Sequence, residues 1–177
     1  PIYRASLQAA RRAKDRWAEI IATSNHGCIR ISLGEYAYAE ELLLESLHMS
    51  RELGAKRLTG VVLNNLAIVA YEENPDKARK LTEENYAIRV EIGDKLGQAN
   101  CLRHMAQSSG DLGDYSKMLE QAETASRIYT EIENQRGIIS GLCLRVFAHA
   151  YLGDIDKAQS LLKRTLSECR ALESNSA

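Results

Sequence analysis

Histidine and cysteine are the residue types in this sequence that could bind a metal ion or act as nucleophiles. The four histidines lie far apart in the sequence: His26, His48, His104 and His149. The four cysteines form no C-x-x-C pair: Cys28, Cys101, Cys143 and Cys169. Zinc sites need closer groupings of these side chains. We therefore expect no metal site, and we interpret the cysteines as small core residues of a protein in a reducing compartment, the cytoplasm.

Carboxylate pairs and glycine-rich loops would indicate acid–base or phosphate chemistry. The adjacent pairs Glu40-Glu41, Glu72-Glu73 and Glu83-Glu84 lie in helical patterns. Neighbouring side chains on a helix point roughly 100° apart, so such pairs do not converge on one substrate. The sequence contains neither a G-x-x-x-x-G-K-[ST] loop nor a G-x-S-x-G turn. We predict no catalytic residue and no cofactor, and thus no enzyme.

Composition narrows the class of protein further. The sequence has 177 residues, of which 45% are apolar, with 23 basic and 24 acidic side chains. The near-zero net charge argues against general nucleic-acid binding, and the short basic cluster from Arg11 to Arg16 is not interleaved with aromatic residues. No apolar run approaches the ~20 residues that a membrane span needs. We expect a globular protein with no membrane contact and no direct nucleic-acid partner.

The elements that position these side chains repeat along the chain. The turn Leu112-Gly113-Asp114-Tyr115 returns 40 residues later as Leu152-Gly153-Asp154-Ile155, and it is preceded by Leu33-Gly34-Glu35-Tyr36. A degenerate copy of the turn, Asn74-Pro75, lies between the copies that begin at Leu33 and Leu112. Because Asn tolerates the left-handed backbone that glycine supplies, we predict that Asn74 replaces the turn glycine and that Pro75 begins the next helix.

Apolar residues between the turns recur at three- and four-residue steps, as in amphipathic helices. Together with the turns they predict helices at 2–13, 17–32, 36–53, 57–72, 76–92, 96–110, 115–132, 136–151 and 155–172. Ala67 follows Leu63, and Ala106 follows Leu102, by four residues. We predict that these small residues let two antiparallel helices approach closely.

A family resemblance rests on these residues. Asn64-Asn65-Leu66-Ala67, the Asn-Pro turn and the three Leu-Gly-Asp/Glu turns resemble the tetratricopeptide repeat (TPR). The period is similar to the longer, 40-residue TPR subclass of kinesin light chain, spindle-orientation scaffolds, and bacterial maltose-type and antibiotic-pathway transcription regulators. The resemblance implies an all-α, TPR-like α-solenoid, a right-handed superhelix of antiparallel helix pairs.

The resemblance divides residues 1–177 into a single array. The segments are the second helix of a partial repeat at 1–15, repeats at 16–55, 56–94, 95–134 and 135–173, and a tail at 174–177. The chain begins with Pro1 inside a helical pattern, and neither end carries a polar capping helix. Since solenoid ends need a polar outer face, we expect a segment of a longer protein, or self-association through the uncapped ends.

The resemblance also implies where a ligand binds, since the first helices of TPR repeats line a concave groove. Carried over to this sequence, the groove residues are Asn25, Asn64, Asn65, Arg103, His104, Gln107 and Phe147. Asn side chains offer both a donor and an acceptor to a peptide backbone, and Arg103 could bind a carboxylate through two N–H groups. His26 and Arg145 depart from the family pattern, which has Leu there, so we expect the first and last repeats either to be imperfectly packed or to align differently with the family pattern at those points.

Three functions remain open at this point. The first is a protein-interaction module whose groove binds a peptide or a partner helix, as the sensing or assembly part of a larger cytoplasmic signalling or transcription-regulatory protein. The second is a sensor domain that binds a signalling peptide or small molecule. The third, catalysis, has no support in the residues.

Overall fold

The described part of the chain is all α-helical. The computed structural model describes residues 2–174 and the side chains of residues 5–171, so residues 175–177 of the predicted tail lie outside the described residues. The helices are α1 (Ile2–Ala13), α2 (Arg16–Ser32), α3 (Tyr36–Glu52), α4 (Lys56–Ala70), α5 (Pro75–Glu91), α6 (Lys95–Asp111), α7 (Tyr115–Glu131), α8 (Gln135–Tyr151) and α9 (Ile155–Ser174). Each boundary lies within two residues of its predicted place. The all-α fold of paired helices is confirmed.

The helices form two compact units, Pro1–Ile92 and Gly93–Ala177. In the first unit, α2 packs against α3, and α4 packs against α5 and α3. Its core is built from aliphatic residues of α3 and α4: Ala39, Leu43, Leu47, Val62, Leu63, Leu66 and Val69. None of the described helices is both long and apolar enough to cross a bilayer.

The second unit contains α6 to α9, in which α6 packs against α7, α7 against α8, and α8 against α9. Its core includes Ala106, Met118, Ala122 and Ala148, so here small residues dominate. Tyr129 is 1% exposed. A Cβ atom on Gly137 would lie 2.1 Å from its ring, so this glycine allows α8 to approach the phenol. Close helix packing therefore rests on small side chains, as the sequence predicts.

A left-handed residue follows the helix at every turn between the described helices except the one between α4 and α5. Five glycines have positive φ: Gly34, Gly54, Gly93, Gly113 and Gly153. Lys14 (φ 54°) and Glu133 (φ 52°) adopt the same conformation in place of glycine. The prediction for Asn74 is wrong in conformation: its φ is −146°, and its side chain accepts a hydrogen bond from the Lys77 backbone N–H. Asn74 caps α5 instead, and Pro75 begins that helix as predicted.

The two departures from the family pattern have different outcomes. His26 is buried, its Nε2 accepts a hydrogen bond of 3.1 Å from Arg30 Nε, and its ring lies edge-on to Tyr38. The expected packing defect is therefore absent at His26. Arg145 lies 3.7 Å from Glu123, but its buried Nε has no hydrogen-bond partner among the described residues. In the first repeat, the buried Thr23 Oγ1 likewise has no hydrogen-bond partner among the described residues.

The structure separates the two alanines that were predicted to be equivalent. Ala106 is fully buried, whereas Ala67 is half-buried and outside the core cluster. We expect Ala106→Leu to lower the free energy of unfolding by ~1–3 kcal/mol, because the added methyl groups overpack α6 against α7 and α8. Ala67→Leu is the matched control and should cost less. Urea unfolding measures both, and equal losses would contradict this assignment.

Glu133 provides a second test of the fold. A non-glycine residue in the left-handed region carries a strain of roughly 1–2 kcal/mol. We expect Glu133→Gly to raise the free energy of unfolding by up to about 1 kcal/mol, because the gain is partly offset by the greater freedom of glycine in the unfolded chain. Thermal unfolding followed by circular dichroism measures the change. Gly93→Ala, at the equivalent turn, should destabilise the protein.

Candidate functional site

One buried position fixes the rotation of each first helix. Leu63 of α4, Leu102 of α6 and Leu142 of α8 are buried at the same place in their helices, and Thr23 occupies this place in α2. An α-helix turns by roughly 100° per residue, so side chains at −6, −2, +1, +2 and +5 from this position lie on the opposite side. The first helices therefore present a row of side chains on that side, from which we leave out Ser24 of α2 because it is buried; Leu144 of α8 is in the row but packs against the core.

We call this row on each helix the first-helix stripe. It consists of Trp17, Ile21, Asn25 and Cys28 on α2; Arg57, Val61, Asn64, Asn65 and Ile68 on α4; Leu96, Asn100, Arg103, His104 and Gln107 on α6; and Arg136, Ser140, Cys143, Leu144 and Phe147 on α8. All seven residues that the sequence predicts for a ligand groove lie in it. That they bind a ligand stays a prediction.

In the first unit, the stripes of α2 and α4 combine amides with exposed apolar side chains. The two helices are in contact, and Asn65 Nδ2 donates a hydrogen bond of 3.1 Å to Cys28 Sγ. Burial raises the pKa of the Cys28 thiol, which keeps it neutral. The exposed apolar side chains are Trp17, Ile21, Val61 and Ile68, each more than 40% exposed. Apolar side chains grouped in this way on neighbouring helices are typical of a binding surface.

In the second unit, the stripe of α6 is polar and held by hydrogen bonds. Arg103 Nη2 lies 2.9 Å from His104 Nε2. Tyr129, on α7, donates a hydrogen bond of 2.8 Å to Asn100 Oδ1, and it also forms a hydrogen bond with Arg103. Burial raises the pKa of Tyr129. The buried phenol thus joins Asn100 and Arg103 into one network.

His104 is neutral in this network. Burial lowers the pKa of His104 to about 4, and the neighbouring Arg103 charge contributes to this shift. A neutral imidazole that accepts a hydrogen bond at Nε2 carries its proton on Nδ1. His104 therefore offers a donor, not a positive charge, to the surroundings of the stripe.

The first helices contain few acidic residues. α4 and α8 have no Asp or Glu, α6 has only Asp111 at its end, and α2 has only Glu19. Glu19 is buried between Arg11 and Arg16, and its hydrogen bond with Arg11 is the main reason that its pKa is lowered. No acidic side chain belongs to the stripes, so they favour neutral or anionic ligands.

The structure brings together some of the predicted site residues and leaves others separate. Arg103 and His104 are in contact, whereas Asn25, Gln107 and Phe147 are exposed. Two participants were missed by the sequence analysis. Asn100 lies four residues before His104, so helical spacing could have placed it in the stripe. Tyr129 carried no such signal, because it lies in a second helix.

The cysteines and potential metal ligands have no shared site in the described part of the chain. All four cysteines are free, with Cys101 buried and the other three half-buried. The prediction that they are core residues is therefore confirmed for Cys101 alone. Among the described residues, His, Cys, Asp and Glu side chains form no group of three that could hold a metal ion.

Comparison with known proteins gives matches among solved structures. No protein-family model and no curated protein sequence matches this chain. It is similar over 97% of its length to BtubC (BKLC) from P. vanneervenii, with a TM-score of 0.87, 16% identity and 72% of that chain covered. A Signal Transduction ATPase with Numerous Domains (STAND) from Pyrococcus horikoshii, which has a tetratricopeptide repeat sensor, matches with a TM-score of 0.84 and 16% identity. A kinesin light chain of Podospora anserina with nearly identical TPR-like repeats matches with a TM-score of 0.71, 14% identity, and 89% and 77% of the two chains covered.

These similarities show that the fold is a TPR-like α-solenoid, as the sequence predicts. The match to the STAND protein covers 97% of this chain but only 27% of the STAND protein. At these identities the comparison concerns the fold, and the partners of the matched proteins are properties of those proteins.

Because His104 is neutral in the folded protein, we predict that the free energy of unfolding depends on pH. Its pKa is lowered to about 4 from 6.5. Below pH 6.5 an unfolded chain therefore binds a proton that the folded protein does not. This contribution to stability is complete above pH 6.5 and is lost as the pH falls towards 4, by about 1–3 kcal/mol.

Urea unfolding between pH 7 and pH 4 tests this, with His104→Gln as the matched control. Glutamine keeps an acceptor for Arg103 but does not titrate, so the variant should lose less stability than the parent over this range. Equal losses in the two proteins would contradict the assignment. The His104 ring protons, followed by NMR, give the pKa directly.

Proposed function

We propose that this chain is a protein-interaction module that binds an extended peptide or a partner helix along its first-helix stripes. The observation that carries the proposal is the surface of α2 and α4, where exposed Trp17, Ile21, Val61 and Ile68 accompany amide side chains. Apolar side chains of a partner would be buried against these four apolar side chains. The amides would bind its backbone, since Asn can both donate and accept.

A binding function is favoured over a catalytic one by the chemistry of the stripes. Their side chains in the first unit are aliphatic, aromatic or amide groups, together with one neutral thiol and the exposed Arg57. None of these groups is paired with a general base in the described residues. Such a surface stabilises a bound segment through burial and hydrogen bonds.

The context that we propose is the sensing or assembly part of a larger signalling or transcription-regulatory protein in the cytoplasm. The fold similarity to a STAND protein with a TPR sensor supports this context. The four free cysteines suit a reducing compartment. The same similarity favours a second candidate, a sensor domain that binds a signalling peptide or small molecule at the stripes.

A third possibility is self-association through α9. Leu162 and Leu166 are about half exposed there, whereas Leu43 and Leu47, at the equivalent positions of α3, are buried. The face of α9 is therefore apolar and uncovered among the described residues. This surface competes with the first-helix stripes as the place where a partner binds.

The test is selection of binding peptides from a displayed random library, followed by affinity measurement with stripe variants. We expect Trp17→Ala combined with Asn64→Ala to weaken the selected peptides by about tenfold or more, because an aromatic contact and a backbone hydrogen bond are lost. Glu41→Ala on α3 is the matched control. It removes an exposed side chain outside the stripes and should leave affinity unchanged.

Two outcomes would contradict the proposal. In the first, the stripe variant keeps full affinity while Leu166→Glu abolishes binding, which would place the partner on α9. In the second, no peptide is selected, and sedimentation shows a stable dimer that Leu166→Glu dissociates. Melting temperatures of all variants must match the parent for these comparisons to hold.

A further inference from the structure

We propose that an exposed aromatic surface at one end of the second unit binds an arginine side chain of a partner protein. Tyr151 is the residue on which the guanidinium stacks, and Asp114 supplies the carboxylate that pairs with it. The inference goes beyond the proposed function, which rests on α2 and α4 of the first unit. It concerns the second unit alone.

Apolar side chains gather at the end of the second unit where α6 and α8 end and where α7 and α9 begin. We call this surface the aromatic edge, and it consists of Leu112, Tyr115, Tyr151, Leu152 and Ile155. Leu112 is 71% exposed, Tyr151 64% and Ile155 52%. Large apolar side chains that are exposed together in this way are typical of an interaction surface.

The two tyrosines of the aromatic edge form a fixed platform. The rings of Tyr115 and Tyr151 are stacked, with their centroids 4.4 Å apart and an angle of 5° between their planes. Tyr115 is half-buried and packs against the core of the second unit, so it supports the Tyr151 ring from one side. The other face of the Tyr151 ring is left for a ligand. The face of an aromatic ring is partially negative and attracts a cation.

The segments that carry the aromatic edge are acidic. Residues 109–118 and 149–158 contain four aspartates, two lysines and no arginine. Asp114 directly precedes Tyr115 and is exposed, and its Oδ1 accepts a hydrogen bond of 3.1 Å from the Lys117 backbone N–H. Asp114 has no ion pair among the described residues, so its Oδ2 is available to a positive group. A ring face and an unpaired carboxylate at the same end of the helices favour a cationic ligand.

The first unit shows how the equivalent end of a repeat holds an arginine. Arg30 Cζ lies 5.0 Å from the centroid of the Tyr38 ring, and Arg30 Nη1 donates a hydrogen bond of 2.7 Å to Glu35 Oε2. Glu35 directly precedes α3, as Asp114 directly precedes α7. The position of Arg30, five residues before this acid, is occupied by Ser109 in α6. The second unit thus has a carboxylate and tyrosines at this end but no arginine of its own there.

The geometry favours arginine over lysine and over a quaternary ammonium group. A guanidinium is planar, so it can stack on the Tyr151 ring while the N–H groups at its edge bind a carboxylate. A lysine ammonium group is more strongly hydrated and has no flat surface. Quaternary ammonium groups bind in cages of several aromatic rings, whereas Tyr115 covers one face of Tyr151 and forms no cage with it. Leu112 and Leu152 would bury an aliphatic residue next to the arginine of the partner.

Synthetic peptides test the inference on the full chain. A bead library of short, acetylated and amidated peptides with a central arginine is screened against the parent chain, and the best peptide is made again with lysine or citrulline at the centre. Citrulline keeps the planar shape of arginine but has no charge. Fluorescence anisotropy gives the affinity of each peptide for the parent chain and its variants.

The variants are chosen to preserve the fold. Tyr151→Leu keeps an apolar contact for Tyr115 but removes the ring face, and Asp114→Asn removes the charge but keeps a residue that can cap α7. Tyr36→Leu is the matched control, because Tyr36 is also exposed and begins α3 as Tyr115 begins α7. All variants are compared at matched melting temperature.

We expect the arginine peptide to bind the parent about fivefold more tightly than the citrulline peptide, because both stacking on the ring and pairing with the carboxylate need the charge. Tyr151→Leu and Asp114→Asn should each reduce this preference, and Tyr36→Leu should leave it unchanged. The NMR signals of the Tyr151 ring should shift on addition of the arginine peptide. Trp17→Ala combined with Asn64→Ala, the variant that tests the proposed function, should bind the arginine peptide as the parent does.

Equal affinity for the arginine and citrulline peptides would overturn this inference, as would a preference that survives in Tyr151→Leu. Tighter binding of the lysine peptide, or no binding of any arginine peptide to the parent, would also contradict it. A dimer that dissociates in Tyr151→Leu during sedimentation would assign the aromatic edge to a second copy of this chain instead. Loss of the arginine peptide in the double variant of Trp17 and Asn64 would overturn the inference but support the proposed function, so the two can fail separately.

Discussion

The burial of one side chain in each first helix determines which residues of that helix lie on the side opposite the core. Leu63, Leu102 and Leu142 occupy the same place in α4, α6 and α8, and each is buried against the neighbouring helices. Because a helix is rigid and turns by roughly 100° per residue, burying this position directs the stripe away from the core. The composition of the stripe, which is the proposed binding surface, is thus a geometric consequence of core packing, and a rotation of the helix would change both together.

The helix boundaries and pairs could be predicted from the sequence because they depend on local patterns: amphipathic spacing, turn glycines and a helix-starting proline. Predictions that needed tertiary contacts were less successful. Asn74 was expected to be left-handed but caps α5, since a side-chain oxygen satisfies the first turn equally well. His26 replaces a leucine without leaving a defect because Arg30, one turn later, donates a hydrogen bond to it. Spacing alone could not distinguish these alternatives.

In the candidate site, too, features that depend on local sequence could be predicted and features that depend on tertiary contacts could not. The family resemblance implied that Arg103 and His104, which are neighbours in the sequence, belong to one groove, and their side chains are in contact. Spacing could not reveal Tyr129, whose buried hydroxyl comes from α7 and orients Asn100. Nor could it show that Arg103 has no ion pair among the described residues, because ion pairs between helices depend on which helices pack together. The charge state of the site is a tertiary property.

Positions that fix the fold and positions of the proposed binding surface are therefore largely different residues in this chain. Asn64, Arg103 and Cys143 follow the buried leucine of their helices directly, and they have three different chemistries. These three side chains are half-buried beside the core, and the same position in the helix accommodates all three. The same separation explains how a TM-score of 0.87 accompanies only 16% identity. A few small and aliphatic residues at fixed spacing maintain the helix pairs, so the fold requires little identity at the other positions.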